Sequence, residues 1–368
     1  MLWVGFIRSD ETTRSETAKA GRDAIARSFL PWVRMNVRSL FLFSRKVVCS
    51  CCMWSDGMNN WTVNDIPDQH GQVALVTGAN SGLGLETTRA LAAHGAHVMM
   101  AVRTPDKGRR AEAEIKQTVP GASLELVVLD LASLASVQEV AARVSRTHDH
   151  LDLLFNNAGV MAIPRQETPD GFEMQFGTNH LGHFALTGLL LPKLVATSGS
   201  RVVTTTSIAR LSDHIHFDDL QHQHSYSRWR VYAQSKRANL LFAFELQTRF
   251  TTAGASTVSV AAHPGGANTN LPGSSIALTH SRLERVLFAL NRRLMMQSAS
   301  MGALPQLYAA TDAHISGGEL VGPGGFAAMR GYPQVDRNAR KEYDRATAAR
   351  LWEVSEELTR VKYDLRSR

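Results

Sequence analysis

The sequence predicts an α/β protein built on a doubly wound parallel sheet, a single domain with helices on both faces. Three observations predict it. From Gly71 onward, short β-branched or aliphatic runs alternate with helical patterns, as strands joined by crossover helices do. A glycine-rich turn follows the first of those runs and opens a helix. No stretch from Gly71 to Val321 has the composition of a linker, a repeat or a low-complexity tract, and 44% hydrophobic residues in a chain of 368 are ample for one large core.

Taken in order, the strands fall at Val73 to Thr77, His97 to Val102, Leu124 to Leu129, Leu151 to Phe155, Arg201 to Thr206 and Thr257 to Ala262. Each is short, apolar and bounded by polar or glycine residues, the pattern of strands buried on both faces. Helical periodicity places crossovers at Leu83 to His94, Lys107 to Thr118, Ser133 to Thr147, Phe172 to Ala196 and Val231 to Phe250. Mixed charges around Leu351, Trp352, Val354 and Leu358 describe an amphipathic, structural tail helix within Asp336 to Arg368.

Charge and cysteine usage exclude several functions. The net charge of +7 is uneven: residues 1–57 hold nine of the 40 Lys/Arg and five of the 33 Asp/Glu, leaving +3 for the rest. That body lacks the clustered basic residues with interleaved aromatics that a nucleic-acid surface needs. All three cysteines, Cys49, Cys51 and Cys52, lie in the leading segment, so the body can build neither a disulfide framework nor a thiolate zinc site, and a reducing, cytoplasmic setting fits. Residues 1–57 show no sustained period and read as an unstructured extension ahead of a second start at Met58. A basic amphipathic membrane-surface segment is the alternative. Arg34, Arg38, Arg45 and Lys46 interrupt its apolar part, so no transmembrane segment is expected.

Directly after the first strand run come Thr77, Gly78, Ala79, Asn80, Ser81, Gly82, Leu83 and Gly84, followed at once by a helix. Glycines there permit a tight turn and a close approach of backbone to a pyrophosphate, whose charge would face the free amides at the helix start. Gly78, Asn80, Ser81, Gly82, Leu83 and Gly84 are therefore candidate dinucleotide-binding residues. The second strand ends at Val102 and Arg103, nineteen residues beyond Gly84, where an NAD-selective site carries an acid for the ribose hydroxyls. A guanidinium at Arg103 suits a 2′-phosphate instead and points to NADP(H).

Tyr232 and Lys236 are four residues apart on one helical face, with Ser207 upstream at the end of a strand. An ammonium beside a phenol favours the phenolate and brings its titration toward working pH, the condition for proton transfer at a substrate oxygen.

With these motifs in this order, the chain resembles the short-chain dehydrogenase/reductase family from about Gly71 to Val321, with its domain expected over 58–368. The glycine turn matches the family's Thr-Gly-x-x-x-Gly-x-Gly pattern, and Asp130 with Leu131 matches its adenine-contacting pair. Asn156, Asn157, Ala158 and Gly159 match its Asn-Asn-Ala-Gly run, which puts Asn157, Ala158 and Gly159 at the cofactor. Pro264, Gly265 and Thr269 match the run at the nicotinamide end. The resemblance implies that Tyr232 gives or takes the proton at the substrate oxygen and that Ser207 orients that oxygen. It further implies that Lys236 holds the nicotinamide ribose and biases Tyr232, while Asn179 links Lys236 to solvent through water. Asn179 reads equally as a buried, satisfied core amide.

A spacing of 25 from Ser207 to Tyr232 accommodates an insertion beginning near His216, and with the Ala101, Val102, Arg103 strand ending it resembles the retinol-dehydrogenase-like branch. That branch implies NADP(H)-dependent interconversion of a lipophilic carbonyl and alcohol. The apolar, Met-bearing segment Leu271 to Met301 corresponds to a substrate lid at about 265–300 and suits a lipophilic ligand, or equally packs on the core or on a second subunit in a homo-oligomer. His214, His216, His222 and His224 read as solvated loop histidines rather than metal ligands, and no metal is expected. Two alternatives remain: a non-enzymatic NADP-binding sensor or interaction protein, and a double-bond reductase on the same scaffold.

Overall fold

In a computed structural model, residues 60–266 and 297–365 are described; the leading segment 1–57, Thr269 and nearly all of the expected lid lie outside them. The strands are β1 (Val73–Thr77), β2 (His97–Val102), β3 (Ser123–Val128), β4 (Leu153–Asn156), β5 (Arg201–Thr205), β6 (Val258–Ala262), β7 (Leu320–Pro323) and β8 (Pro333–Val335). They form one sheet in the order β3-β2-β1-β4-β5-β6-β7-β8. Every pairing from β3 through β7 is parallel, and β8 closes the edge antiparallel to β7. The order reverses between β1 and β4, so the chain winds outward in both directions from β1.

Alternation along each strand divides the core in two. Ala74 and Val76 of β1, with Val98, Met100 and Val102 of β2, face α1 (Gly82–Ala93), α2 (Pro105–Thr118) and α6 (Ala299–Thr311). Val73, Leu75, Met99 and Ala101 face the other way, onto α3 (Leu134–Thr147), α4 (Gly182–Ala196) and α5 (Arg228–Ala253). Period-2 side-chain direction in strands buried on both sides requires this split.

Three departures from the sequence reading have physical causes. The helix expected from Phe172 to Ala196 is a short turn, Met174–Phe176, then a π-helical stretch, Gly177–Leu181, and only then α4. Its start is delayed because the Glu173 carboxylate accepts from the Phe176 amide at 2.7 Å and so caps the first turn. Strands β7 and β8 were not expected: each is three or four residues long and carries glycine or proline, a composition that reads as loop. Pro333 and Pro323 pair at the end of the ladder, where a missing donor costs least. The tail helix forms as α7 (Arg345–Thr359), capped by Asp344, which accepts from the Thr347 amide at 3.1 Å. It buries Leu351 and Trp352, and the Trp352 ring stacks on Phe242 of α5 at 5.8 Å. Beyond it, the Tyr363 hydroxyl donates to the Phe184 carbonyl of α4 at 2.6 Å.

Candidate active site

Because the strands from β1 to β6 run parallel, the residues after each of them meet at one edge of the sheet. At the end of β1 the chain turns with φ of 70° at Gly78 and 55° at Gly82. A methyl at Gly84 would overlap the Gly78 carbonyl, so only glycine lets α1 start so close to the strand. Ser81, at the N-cap of α1, makes no side-chain capping bond, and the first turn holds no acid. The amides of Gly82, Leu83 and Gly84 are thus left for an external anion, which fits a dinucleotide pyrophosphate. Arg103 is exposed immediately beyond β2, with no hydrogen bond or ion pair among the described residues, free to meet a phosphate. Asp130 and Leu131 follow β3; the Asp130 carboxylate accepts from the Ala132 amide at 3.0 Å, holding the bend.

Thr77 joins this turn to the loop after β4. Its buried hydroxyl accepts from the amides of Asn157 and Ala158 at 2.9 and 3.0 Å, while the Asn157 side-chain amide donates to the Thr77 carbonyl at 2.7 Å. His183 Nε2 lies 2.9 Å from the same hydroxyl, and its Nδ1 lies 2.9 Å from the Asn179 carbonyl. A carbonyl only accepts, so Nδ1 carries the proton and Nε2 is left as an acceptor that shares the single Thr77 hydroxyl proton with the Phe155 carbonyl, 3.0 Å from that hydroxyl. Burial lowers the His183 pKa to about 4, which keeps the ring neutral in that tautomer.

The other candidate residues converge beside this floor. Ser207 caps the turn Ile208–Ser212, its hydroxyl accepting from the Ala209 amide at 3.2 Å. Tyr232 and Lys236 lie one turn apart on α5, both buried, with the Lys236 ammonium nitrogen 5.9 Å from the phenol ring centre. Lys236 Nζ donates to the Thr205 carbonyl at 3.1 Å, Asn239 donates to the same oxygen at 3.0 Å, and the Thr206 hydroxyl donates to the Lys236 carbonyl at 2.6 Å. Together these bonds staple α5 to the end of β5. Asn179, in the π-helical stretch, is fully buried and fully used: its amide donates to Val160 O and Ser235 Oγ, both at 2.9 Å, and its carbonyl accepts from Val160 N at 2.8 Å. Asn179 is thus a satisfied core amide that clips Val160, just after the Asn157–Gly159 run, to Ser235 of α5.

The phenol departs from expectation. Burial holds Tyr232 above its ordinary value, opposed by the Ser207 hydroxyl, so that in this geometry Lys236 does not bring it toward neutrality. The same burial lowers Lys236 to about 8. Desolvation penalises whichever form is charged, which raises the acid and lowers the base.

In the turn after β6, Gly265 takes φ of 64°, and the turn is held by Gln297, whose side chain donates to the Pro264 carbonyl at 2.9 Å. Gln297 carries no motif. Arg210 was likewise not anticipated: buried to 2% exposure, it grips the Glu342 carboxylate with two bonds of 3.0 and 2.9 Å, and its third nitrogen donates to the Ser207 carbonyl at 3.3 Å. The insertion histidines differ from the solvated reading in part. His214 and His224 are exposed, whereas His222 is 4% exposed, because the loop folds back and sets its ring edge-on to His216.

A doubly wound sheet with a dinucleotide turn at its switch point, beside a half-buried hydroxyl and a buried phenol and ammonium, defines a nucleotide-dependent oxidoreductase. The chain belongs to the short chain dehydrogenase family, whose model matches residues 72–277. Retinol dehydrogenase 11 of Mus musculus is 39% identical over 294 residues, covering 80% of this chain and 88% of that protein. A crystal structure of an uncharacterized protein from Mycobacterium paratuberculosis, 40% identical, superposes with a TM-score of 0.66 over 83% of this chain and 99% of its own. A Beutenbergia cavernae protein provisionally assigned as an NAD(P)-dependent gluconate 5-dehydrogenase, solved with NADP at low occupancy, is 26% identical with a TM-score of 0.54, covering 69% of this chain and 96% of its own. Among the described residues no helix is long and apolar enough to cross a membrane.

Proposed function

We propose that this protein is an NADP(H)-dependent oxidoreductase interconverting a carbonyl and an alcohol on a lipophilic substrate, with Tyr232 as the acid/base. The observation that carries the reading is the convergence of the half-buried Ser207 with the buried Tyr232 and Lys236, stapled to the sheet edge that carries the dinucleotide turn. Gly78, Asn80, Ser81, Gly82, Leu83 and Gly84 would hold the pyrophosphate, Arg103 would take the 2′-phosphate, and Asp130 and Leu131 would lie at the adenine. Asn157, Ala158, Gly159, Pro264 and Gly265 would enclose the nicotinamide end, and the family pattern assigns Thr269, outside the described residues, to the same end. When bound, the nicotinamide supplies or accepts the hydride.

The chain's own residues position and protonate. Ser207 donates a hydrogen bond to the substrate oxygen and holds it against Tyr232, whose hydroxyl gives up its proton as the alcohol forms and recovers it in the reverse direction. A raised phenol pKa suits the donor's part, since Tyr232 is protonated throughout the neutral range. Lys236, as the ammonium, would hold the nicotinamide ribose and stabilise the phenolate left behind, while Asn179 keeps the Val160 loop and α5 in register. Support for a lipophilic substrate comes from the apolar composition of Leu271 to Met301 and from the likeness to retinol dehydrogenase 11. The cysteine-free body supports a cytoplasmic setting.

The test is oxidation of NADPH and NADH by the purified chain against lipophilic aldehydes and ketones, retinal included. NADPH-selective turnover is expected, falling at least about 100-fold in Tyr232→Phe with NADPH affinity nearly unchanged. Unchanged turnover in that variant defeats the assignment of Tyr232, and saturated products from enones point to a double-bond reductase.

A further inference from the structure

At the sheet edge opposite the nucleotide turn, three side chains from three elements point at one place. His97 is the first residue of β2, Glu125 lies on β3, and His148 is the C-cap of α3. In register His97 sits opposite Ser123, so His97 and Glu125 lie on the same face of the sheet, the one α3 covers. The Nε2 atoms of His97 and His148 are 3.6 and 3.2 Å from the same carboxylate oxygen, Oε2 of Glu125, and the three atoms lie within 4.8 Å of one another. Ligand atoms around a tetrahedral zinc with bonds of roughly 2.0–2.1 Å are separated by about 3.3 Å.

Hydrogen bonding around the cluster fixes its chemistry. The single hydroxyl proton of Thr147 goes to the Arg143 carbonyl at 3.0 Å, so Thr147 must accept from His148 Nδ1, 2.8 Å away. In the neutral ring that leaves the Nε2 lone pair facing the lone pairs of Glu125 Oε2, a contact that requires either a second ring proton or a cation between them. His97 is likewise backed by a hydroxyl, its Nδ1 2.8 Å from Ser123 Oγ, which can accept the ring's Nδ1 proton. Arg143 donates to Oε1 of Glu125 at 2.6 Å and thereby turns Oε2 toward both imidazoles. Hydroxyls behind both imidazoles and a hydrogen-bonded carboxylate are the supporting shell of a metal site. The partial negative charge at the C-terminus of α3 adds to the attraction for a cation.

We propose that His97, Glu125 and His148 bind a zinc ion that clips the end of α3 to β2 and β3. Three protein ligands leave one position for water, and the partial exposure of all three side chains gives the ion a way in. This site is independent of the oxidoreductase reading.

The test uses the full chain without an affinity tag, stripped with chelator and titrated with Co²⁺ and then Zn²⁺. A single equivalent of Co²⁺ is expected to give the visible absorption of a four- or five-coordinate ion, and Zn²⁺ to displace it. Zn²⁺ at about 100 times its Kd is expected to raise the thermal midpoint by about 5 °C. Glu125→Gln and His148→Gln, checked for folding by far-UV circular dichroism, each weaken binding by more than about 100-fold, whereas Asp213→Asn, in the cluster with His214 and His216, leaves it intact. Absence of the Co²⁺ spectrum in the wild-type chain overturns the proposal without recourse to a variant. Binding that survives both substitutions, or that is lost with Asp213→Asn, also overturns it.

Discussion

Glu342→Gln should be among the most destabilising single changes near the site, and its cost follows from what the carboxylate holds. Arg210 is 2% exposed, and Glu342 receives both of its strongest bonds, at 3.0 and 2.9 Å. Arg237 adds a third bond to the same carboxylate at 3.2 Å. Without the negative charge, two guanidinium groups face each other, and the next acid near Arg210 is Asp336, at 3.9 Å. Removing one partner of a buried pair costs about 3–5 kcal/mol. Asp336 and the surviving amide oxygen place this variant near the lower end, about 3 kcal/mol, or roughly 6 °C in a domain of this size. Urea denaturation followed by tryptophan fluorescence measures it. The double variant Arg210→Met with Glu342→Leu should recover most of the loss, because both desolvation costs vanish together. Turnover should still suffer in the double variant, since Arg210 also holds the Ser207 carbonyl. A Glu342→Gln protein within about 1 kcal/mol of wild type would refute the reasoning, because it would mean that water already reaches Arg210.

Three further outcomes are expected. Lys236 is lowered from 10.5 to about 8 by burial, so between pH 8 and 10 the unfolded chain binds more protons than the folded one and stability rises with pH. Lys236→Met should therefore be inactive yet gain stability relative to wild type below pH 8, the gain shrinking toward pH 10; a difference independent of pH in thermal scans would contradict the buried ammonium. Thr77→Val removes the acceptor of two amides beneath the cofactor floor, at a cost of about 2 kcal/mol and with weakened NADPH binding, and calorimetry showing unchanged affinity would count against that role. Arg103→Ala should lower kcat/KM for NADPH at least about tenfold and leave NADH unaffected, a comparison made directly in steady-state kinetics.

Local chemistry explains which parts were legible from the chain. Val73–Thr77 and His97–Val102 were delimited correctly because strands buried on both faces are continuous apolar runs, and the glycine turn announces itself by residue type. Tyr232 and Lys236 needed only the helical repeat to be placed on one face. Where composition misleads, the reading failed: Leu320–Pro323 contains glycine and proline yet completes the parallel ladder beside β6, because its pairing is supplied by neighbours rather than by its own preference. The π-helical turn at Gly177–Leu181 could not be seen either, since the apolar period continues through it.

By itself, then, the sequence determined the alternation of strands and helices, the dinucleotide turn, and the identity and spacing of Ser207, Tyr232 and Lys236, all of which depend on preferences within a few residues. Only the tertiary structure decided that Thr77 would gather the turn and the loop after β4, and that Arg210 would reach Glu342 across 132 residues. It alone showed that burial raises Tyr232 while lowering Lys236, and brought His97, Glu125 and His148 to one point. Desolvation and side-chain pairing depend on which distant segments the topology makes neighbours, and no local pattern carries that information.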